Sequence, residues 1–143
     1  MIGLLMSIIS GICMSLQGVF NTRLGEKIGT WETNVFVQGT GFAITLIILF
    51  LVGKGNFKNI KSVNKLYLLG GVLGVIIIFT VMEGISRLGP TYSIATILIS
   101  QLAAAALIDA FGAFGSERLH FGLTKYIGLG LMILGIVLFK WRG

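Results

Sequence analysis

The stretch 66-LYLLGGVLGVIIIFTVMEGIS-86 decides the fold. Across its whole length it carries a single charged side chain, Glu83. A bilayer core about 30 Å thick takes roughly 20 apolar residues as a helix. This run has the length and composition to cross one. Working outward, four more runs of the same kind follow: 91–112 and 122–141 on one side, 31–52 and 2–21 on the other. Together they use most of the 143 residues and leave little for a soluble domain. The composition agrees, at 55% hydrophobic, 11% charged and a mean hydropathy of +0.98. A soluble domain of this size does not need so much apolar surface. The expected fold class is an all-α membrane protein, with residues 1–143 forming a single domain of five transmembrane helices.

Aromatic residues mark the ends of these runs. Trp31, Tyr67, Tyr92 and Tyr126 stand near the starts of spans, and Trp141 closes the last one. Amphipathic rings settle at headgroup depth in this way, whereas Phe, with no polar tip, scatters through the spans. The first run lacks a positive leader and a small-residue cleavage site, so it reads as a spanning helix rather than a signal peptide. A lone Cys13 excludes an intrachain disulfide. The net charge of +6 comes from cations in the connecting segments, where they orient the chain and meet anionic lipid. Nucleic acid is therefore not an expected partner.

The distribution of those cations is unusual. On the N-terminal side of the membrane, side A, lie Lys54, Lys58, Lys61, Lys65, Arg118 and Lys125. On side B lie Arg23, Lys27, Arg87, Lys140 and Arg142. A chain of fixed orientation shows a clear cationic excess on its cytoplasmic side. Six against five gives none. One reading is a single topology with the N-terminus inside, set by the four clustered lysines. The other is dual topology, in which two copies insert in opposite directions. The odd number of spans favours the second, because two opposed copies then form an inverted pair like the fused repeats of many transporters. The four lysines also fall at helical spacing, which allows a short surface helix. Gly55 and the nearby Asn residues favour a solvated basic loop instead.

Helices in lipid associate through small residues and polar contacts. Gly3, Ser7, Gly11 and Ser15 form a small-residue ridge on the first span; Gly70, Gly71 and Gly74 mark the third, and Gly128, Gly130 and Gly135 the fifth. These are helix-packing candidates. Polar residues at depth need partners. Ser10, Gln17 and Asn21 share one face of span 1, Gln38, Thr40 and Thr45 lie in span 2, and Gln101 sits near the centre of span 4. Gln17, Asn21, Gln38, Gln101 and Glu83 are the candidates for lining a substrate cavity. Glu83, roughly 10 Å from the middle of its span, is the nearest carboxylate. Asp109 lies about 12 Å from Gln101 toward side A. In an inverted pair it would share a depth band with Arg87 or Arg23 of the opposite copy, which makes these three candidates for an intersubunit ion pair. Glu83 and Arg87, at i,i+4, are also placed to pair on one helix face.

Three motifs resemble one family. Gln17-Gly-Val-Phe-Asn21-Thr-Arg23-Leu-Gly25, Arg87-Leu-Gly89-Pro90 and Gln101…Asp109-Ala-Phe-Gly112 look like the YdcZ-type small integral membrane family of the drug/metabolite transporter superfamily. The resemblance runs over nearly the whole chain. It implies a five-helix half of a ten-helix inverted-repeat transporter, and so a need for a second half. The chain is also distantly similar to the small multidrug resistance family of four-helix antiparallel dimers. Those proteins carry a carboxylate in mid-membrane on the first helix, where this chain has Cys13, Met14 and Gln17.

The expected function is transport, as an exporter of small polar or organic solutes across the cytoplasmic (inner) membrane, by an antiparallel homodimer. A small dual-topology channel and an accessory subunit are the alternatives. Catalysis is not expected: His120 is in a loop, Cys13 is isolated, and the acids are scattered, so no nucleophile–base constellation forms. No cofactor or metal is called for.

Overall fold

A computed structural model describes residues 1–118 and 122–141. His120 and Arg142 fall outside the described residues. Five α-helices follow one another: α1 (Ile2–Ile28), α2 (Thr30–Val52), α3 (Gly70–Leu88), α4 (Pro90–Phe111) and α5 (Leu123–Lys140). All five are long and apolar enough to cross a membrane, the third with the turn that leads into it from Lys65. The all-α, five-span fold class read from the sequence is the observed one.

The helix ends are less symmetrical than hydropathy suggests. α1 continues through Ile28, so Arg23 and Lys27 ride its last turns rather than a loop. Leu24, Glu26 and Lys27 are good helix formers, and polarity alone does not end a helix. Gly29 ends it. Its φ of 103° and ψ of 151° belong to a region open essentially to glycine alone. That one residue is the whole connection between α1 and α2. Its N–H donates to the Gly25 carbonyl at 2.9 Å, and its own carbonyl accepts from the Thr33 N–H at 3.0 Å. The Glu32 carboxylate folds back over it. Gly89, with φ 77° and ψ 160°, is likewise the only residue between α3 and α4, and Pro90 then opens α4 at the position proline favours.

The connection on side A between α2 and α3 is long and differently built. Two short 3₁₀ helices, Phe57–Ser62 and Lys65–Leu69, carry Lys58, Lys61 and Lys65, with Lys54 just before them. Asn56 Oδ1 accepts from the Lys58 N–H at 2.9 Å, and Asn64 Oδ1 accepts from the Leu66 N–H at 3.0 Å. The asparagines that argue against a continuous surface helix are the caps of these two turns.

The described chain forms two compact units, Met1–Ser86 and the part from Arg87 onward. In the first, the side B ends of α1 and α2 pack on α3, α1 against its side B half and α2 against its middle and first turns. Met82 and Ile85 of α3 are its buried apolar residues, beside Gly18, Asn21 and Thr22 of α1 and Thr33 and Asn34 of α2. The toward-A stretches of α1 and α2 present exposed apolar side chains, as a lipid-facing or partner-facing surface does. In the second unit α4 packs on α5, and Ser93 is the buried residue of α4.

Candidate functional site

The first unit is held together by small and polar residues, as expected where lipid removes the hydrophobic drive between helices. A β-carbon on Gly18 would stand 2.9 Å from Ile85 Cδ1 and 3.1 Å from Val81 Cγ1, so α1 and α3 are in contact there. About two turns further on, the Met82 methyl lies against Gly25. α2 is tied to α3 by three contacts in register. Trp31 stacks on Phe79 with centroids 4.8 Å apart. Asn34 Nδ2 donates to the Val75 carbonyl at 2.9 Å. The Gln38 amide lies 3.1 Å from where a Gly74 β-carbon would be. Among these, Thr33 is fully buried, and its hydroxyl has no hydrogen-bond partner among the described residues.

Next to this core a small pocket of about 110 Å³ opens between the three helices. Thr22, Gly25, Glu26, Thr30, Met82, Glu83 and Ser86 line it. Glu26 is tied to its own helix by Arg23, whose Nη1 lies 3.1 Å from either carboxylate oxygen. Thr22 donates to the Gly18 carbonyl at 2.8 Å and keeps its lone pairs available. Glu83, the carboxylate singled out in the sequence, is half-buried at this pocket.

The cavity candidates part company. Asn21 is buried in the core and Gln38 is half-buried against Gly74. Gln17 and Gln101 are exposed and make no hydrogen bond among the described residues. Gln101 belongs to the second unit. Other polar residues at depth bond inside their own helix. Ser7 and Ser15 donate to the Gly3 and Gly11 carbonyls, both at 3.0 Å, and Thr40 and Thr45 donate to Phe36 and Gly41 at 2.9 and 2.7 Å. A hydroxyl reaches the carbonyl one turn back, but a glutamine in mid-helix is not served this way.

The small residues divide similarly. Gly3, Gly11, Gly70, Gly128 and Gly135 have no atom within 4 Å of a would-be β-carbon, while Gly74 sits against Gln38. The close contacts of α1 fall at Gly18 and Gly25 instead. Spacing offered the signal, since Gly18, Thr22 and Gly25 continue a small-residue face at i,i+4 and i+7. Thr33 and Asn34 were masked by their place in the first turns of α2, where hydropathy reads as headgroup.

In the second unit, Asp109 and Lys125 line one groove of about 560 Å³, with Leu102, Ala105, Ala106 and Gly128 among its walls. Arg87 lines another, of about 450 Å³, at the α4 start and α5 end. Arg23, the third residue of the expected intersubunit pair, already holds Glu26. Among the described residues no group of His, Cys, Asp and Glu is gathered as a metal site.

Five helices among the described residues, each long and apolar enough to cross a membrane, define a multi-pass integral membrane protein. The family described as "Putative inner membrane exporter, YdcZ" matches residues 2–138, nearly the full length, and the chain belongs to that family. It is accordingly a transport protein of the inner membrane, in an exporter family rather than an enzyme class. No curated protein and no solved structure matches the chain.

Proposed function

We propose that two copies of this chain, inserted in opposite orientations, make one exporter of small polar or organic solutes. The observation that carries this reading is the state of Gln17 and Gln101. Each is a long amide inside a spanning helix, exposed on its protomer and without a hydrogen-bond partner among the described residues. An amide left to hydrocarbon costs several kcal/mol by roughly the ~2–7 kcal/mol of burying an unsatisfied polar group. A second copy and a polar solute remove that cost together. The cation count of six against five supports opposite insertion, since it gives neither orientation an advantage. In inverted-repeat transporters the site lies at the repeat interface near mid-membrane, and access alternates as one half rocks against the other.

The test is flux into liposomes containing purified protein, using a panel of radiolabelled small polar and organic solutes. The expected result is a rate that saturates with solute concentration and falls at least about tenfold in the Gln17→Leu, Gln101→Leu double variant, the size expected from losing two amide hydrogen bonds. Flux that rises without saturation defeats the transporter reading in favour of a channel. Undiminished flux in the double variant removes these two residues from the path.

A further inference from the structure

We infer that the pocket between the start of α4 and the end of α5 is a binding site for the headgroup phosphate of an anionic phospholipid. The inference concerns one protomer and does not depend on dimerisation or on transport. Arg87, Leu88, Gly89, Pro90, Thr91, Tyr92, Phe139 and Lys140 line a cavity of about 450 Å³. Two of the eight are cations and none is an acid. The Lys140 ammonium is held 4.8 Å above the centre of the Tyr92 ring, so an exposed lysine at a helix end is given a defined position. Arg87 stands one helical turn from Glu83 on α3, and its five N–H donors suffice to serve a carboxylate and a phosphate together. The Thr91 hydroxyl and the amide dipole of α4 add the same sign of field.

The depth of the pocket selects a lipid rather than a soluble anion. Tyr92 and Trp141 place it at the headgroup level by the aromatic-belt rule. Its walls are largely apolar, through Leu88, Pro90, Tyr92 and Phe139, and exposed Leu88 and Phe139 at the rim suit glycerol and the first acyl carbons. A phosphate monoanion in solution has no use for those walls. A phospholipid with net negative charge, such as phosphatidylglycerol, satisfies both the cations and the walls. Phosphatidylethanolamine brings the same phosphate with its own ammonium, which the two cations disfavour.

Native mass spectrometry of the detergent-solubilised protein tests this on the monomer peak, with phosphatidylglycerol, phosphatidylethanolamine or inorganic phosphate titrated in. The wild-type chain should hold phosphatidylglycerol more tightly than phosphatidylethanolamine. Arg87→Gln with Lys140→Gln should weaken phosphatidylglycerol by about 25-fold, at about fivefold for each basic residue near an anionic surface. Lys58→Gln with Lys61→Gln removes equal charge elsewhere and should change it less than about twofold, as cations remote from the site do little. Lys140→Gln alone, at an exposed helix end where the side chain touches the Tyr92 ring, should give about a fivefold loss. Equal losses in the two double variants mean diffuse attraction and overturn the site. Unchanged binding in Lys140→Gln overturns it too. Displacement of the lipid by millimolar inorganic phosphate overturns the choice of a lipid as occupant.

Discussion

At the scale of single residues, Thr33 and Asn34 make opposite statements from adjacent positions. Both are buried among three helices, at 0% and 2% exposure. Asn34 uses its amide to bond the Val75 carbonyl of α3, while the Thr33 hydroxyl has no partner among the described residues. A buried polar group without a partner costs about 1–3 kcal/mol, and an apolar group of the same size does not. Thr33→Val should therefore stabilise the protein, by about 1 kcal/mol. Asn34→Ala should destabilise it by about 1–2 kcal/mol, the range for interhelical bonds in membranes. Thermal unfolding of both variants in the same detergent checks the pair of signs. A Thr33→Val variant that melts lower than the wild type would show that the hydroxyl is satisfied in the folded protein.

At the scale of elements, the five helices could be read directly, because each needs only about 20 apolar residues and aromatic ends. Which stretch of a face makes the contact could not. The ridge Gly3, Ser7, Gly11 and Ser15 lies on the same face of α1 as Gly18 and Gly25, yet the contact with α3 falls at Gly18 and Gly25. The reason lies in the connectors. A one-residue turn at Gly29 draws the side B ends of α1 and α2 together, and the long segment before α3 lets that helix close on both. Packing is fixed where the helices are pinned, and the ridge toward the N-terminus is left open. Asn21 was legible as a polar residue on the face of Gln17. Thr33 and Asn34 were not, since period and hydropathy assign them to the water boundary. Two leucine substitutions on α1 separate the open stretch of this face from the packed one. Gly18→Leu forces side-chain atoms into Ile85 and Val81 and should cost about 1–3 kcal/mol of protomer stability. Gly11→Leu meets nothing within 4 Å and should leave that stability within about 0.5 kcal/mol. Unfolding of the monomer in detergent reads both. Equal losses would mean that the open ridge is covered within the protomer.

At the scale of the whole molecule, orientation is a population, and charge is the lever on it. Side A carries six cations and side B five, so two substitutions on either side reverse or widen the difference. Lys58→Ala with Lys61→Ala takes side A from six to four against five. The lead of one cation passes to side B, and the population should shift toward N-terminus-out molecules without either orientation excluding the other. Arg87→Gln with Lys140→Gln takes side B from five to three against six, and N-terminus-in molecules should predominate. The lysines in the first pair are exposed on the 3₁₀ turn, so their loss disturbs no packing in the protomer. The readout is an impermeant maleimide applied to intact cells, against single cysteines placed at Ile2 and, separately, Ser62, in a Cys13→Ser background. These two positions lie on the same side, so they must label together in any one molecule and serve as each other's control. The parent should label partially at both, with the remainder reached only after the cells are opened. The two charge variants should move that fraction in opposite directions. A chain of fixed topology gives all-or-none labelling in the parent and no movement in either variant. That result would leave the helices, their packing and the family in place, and would end the case for an inverted pair.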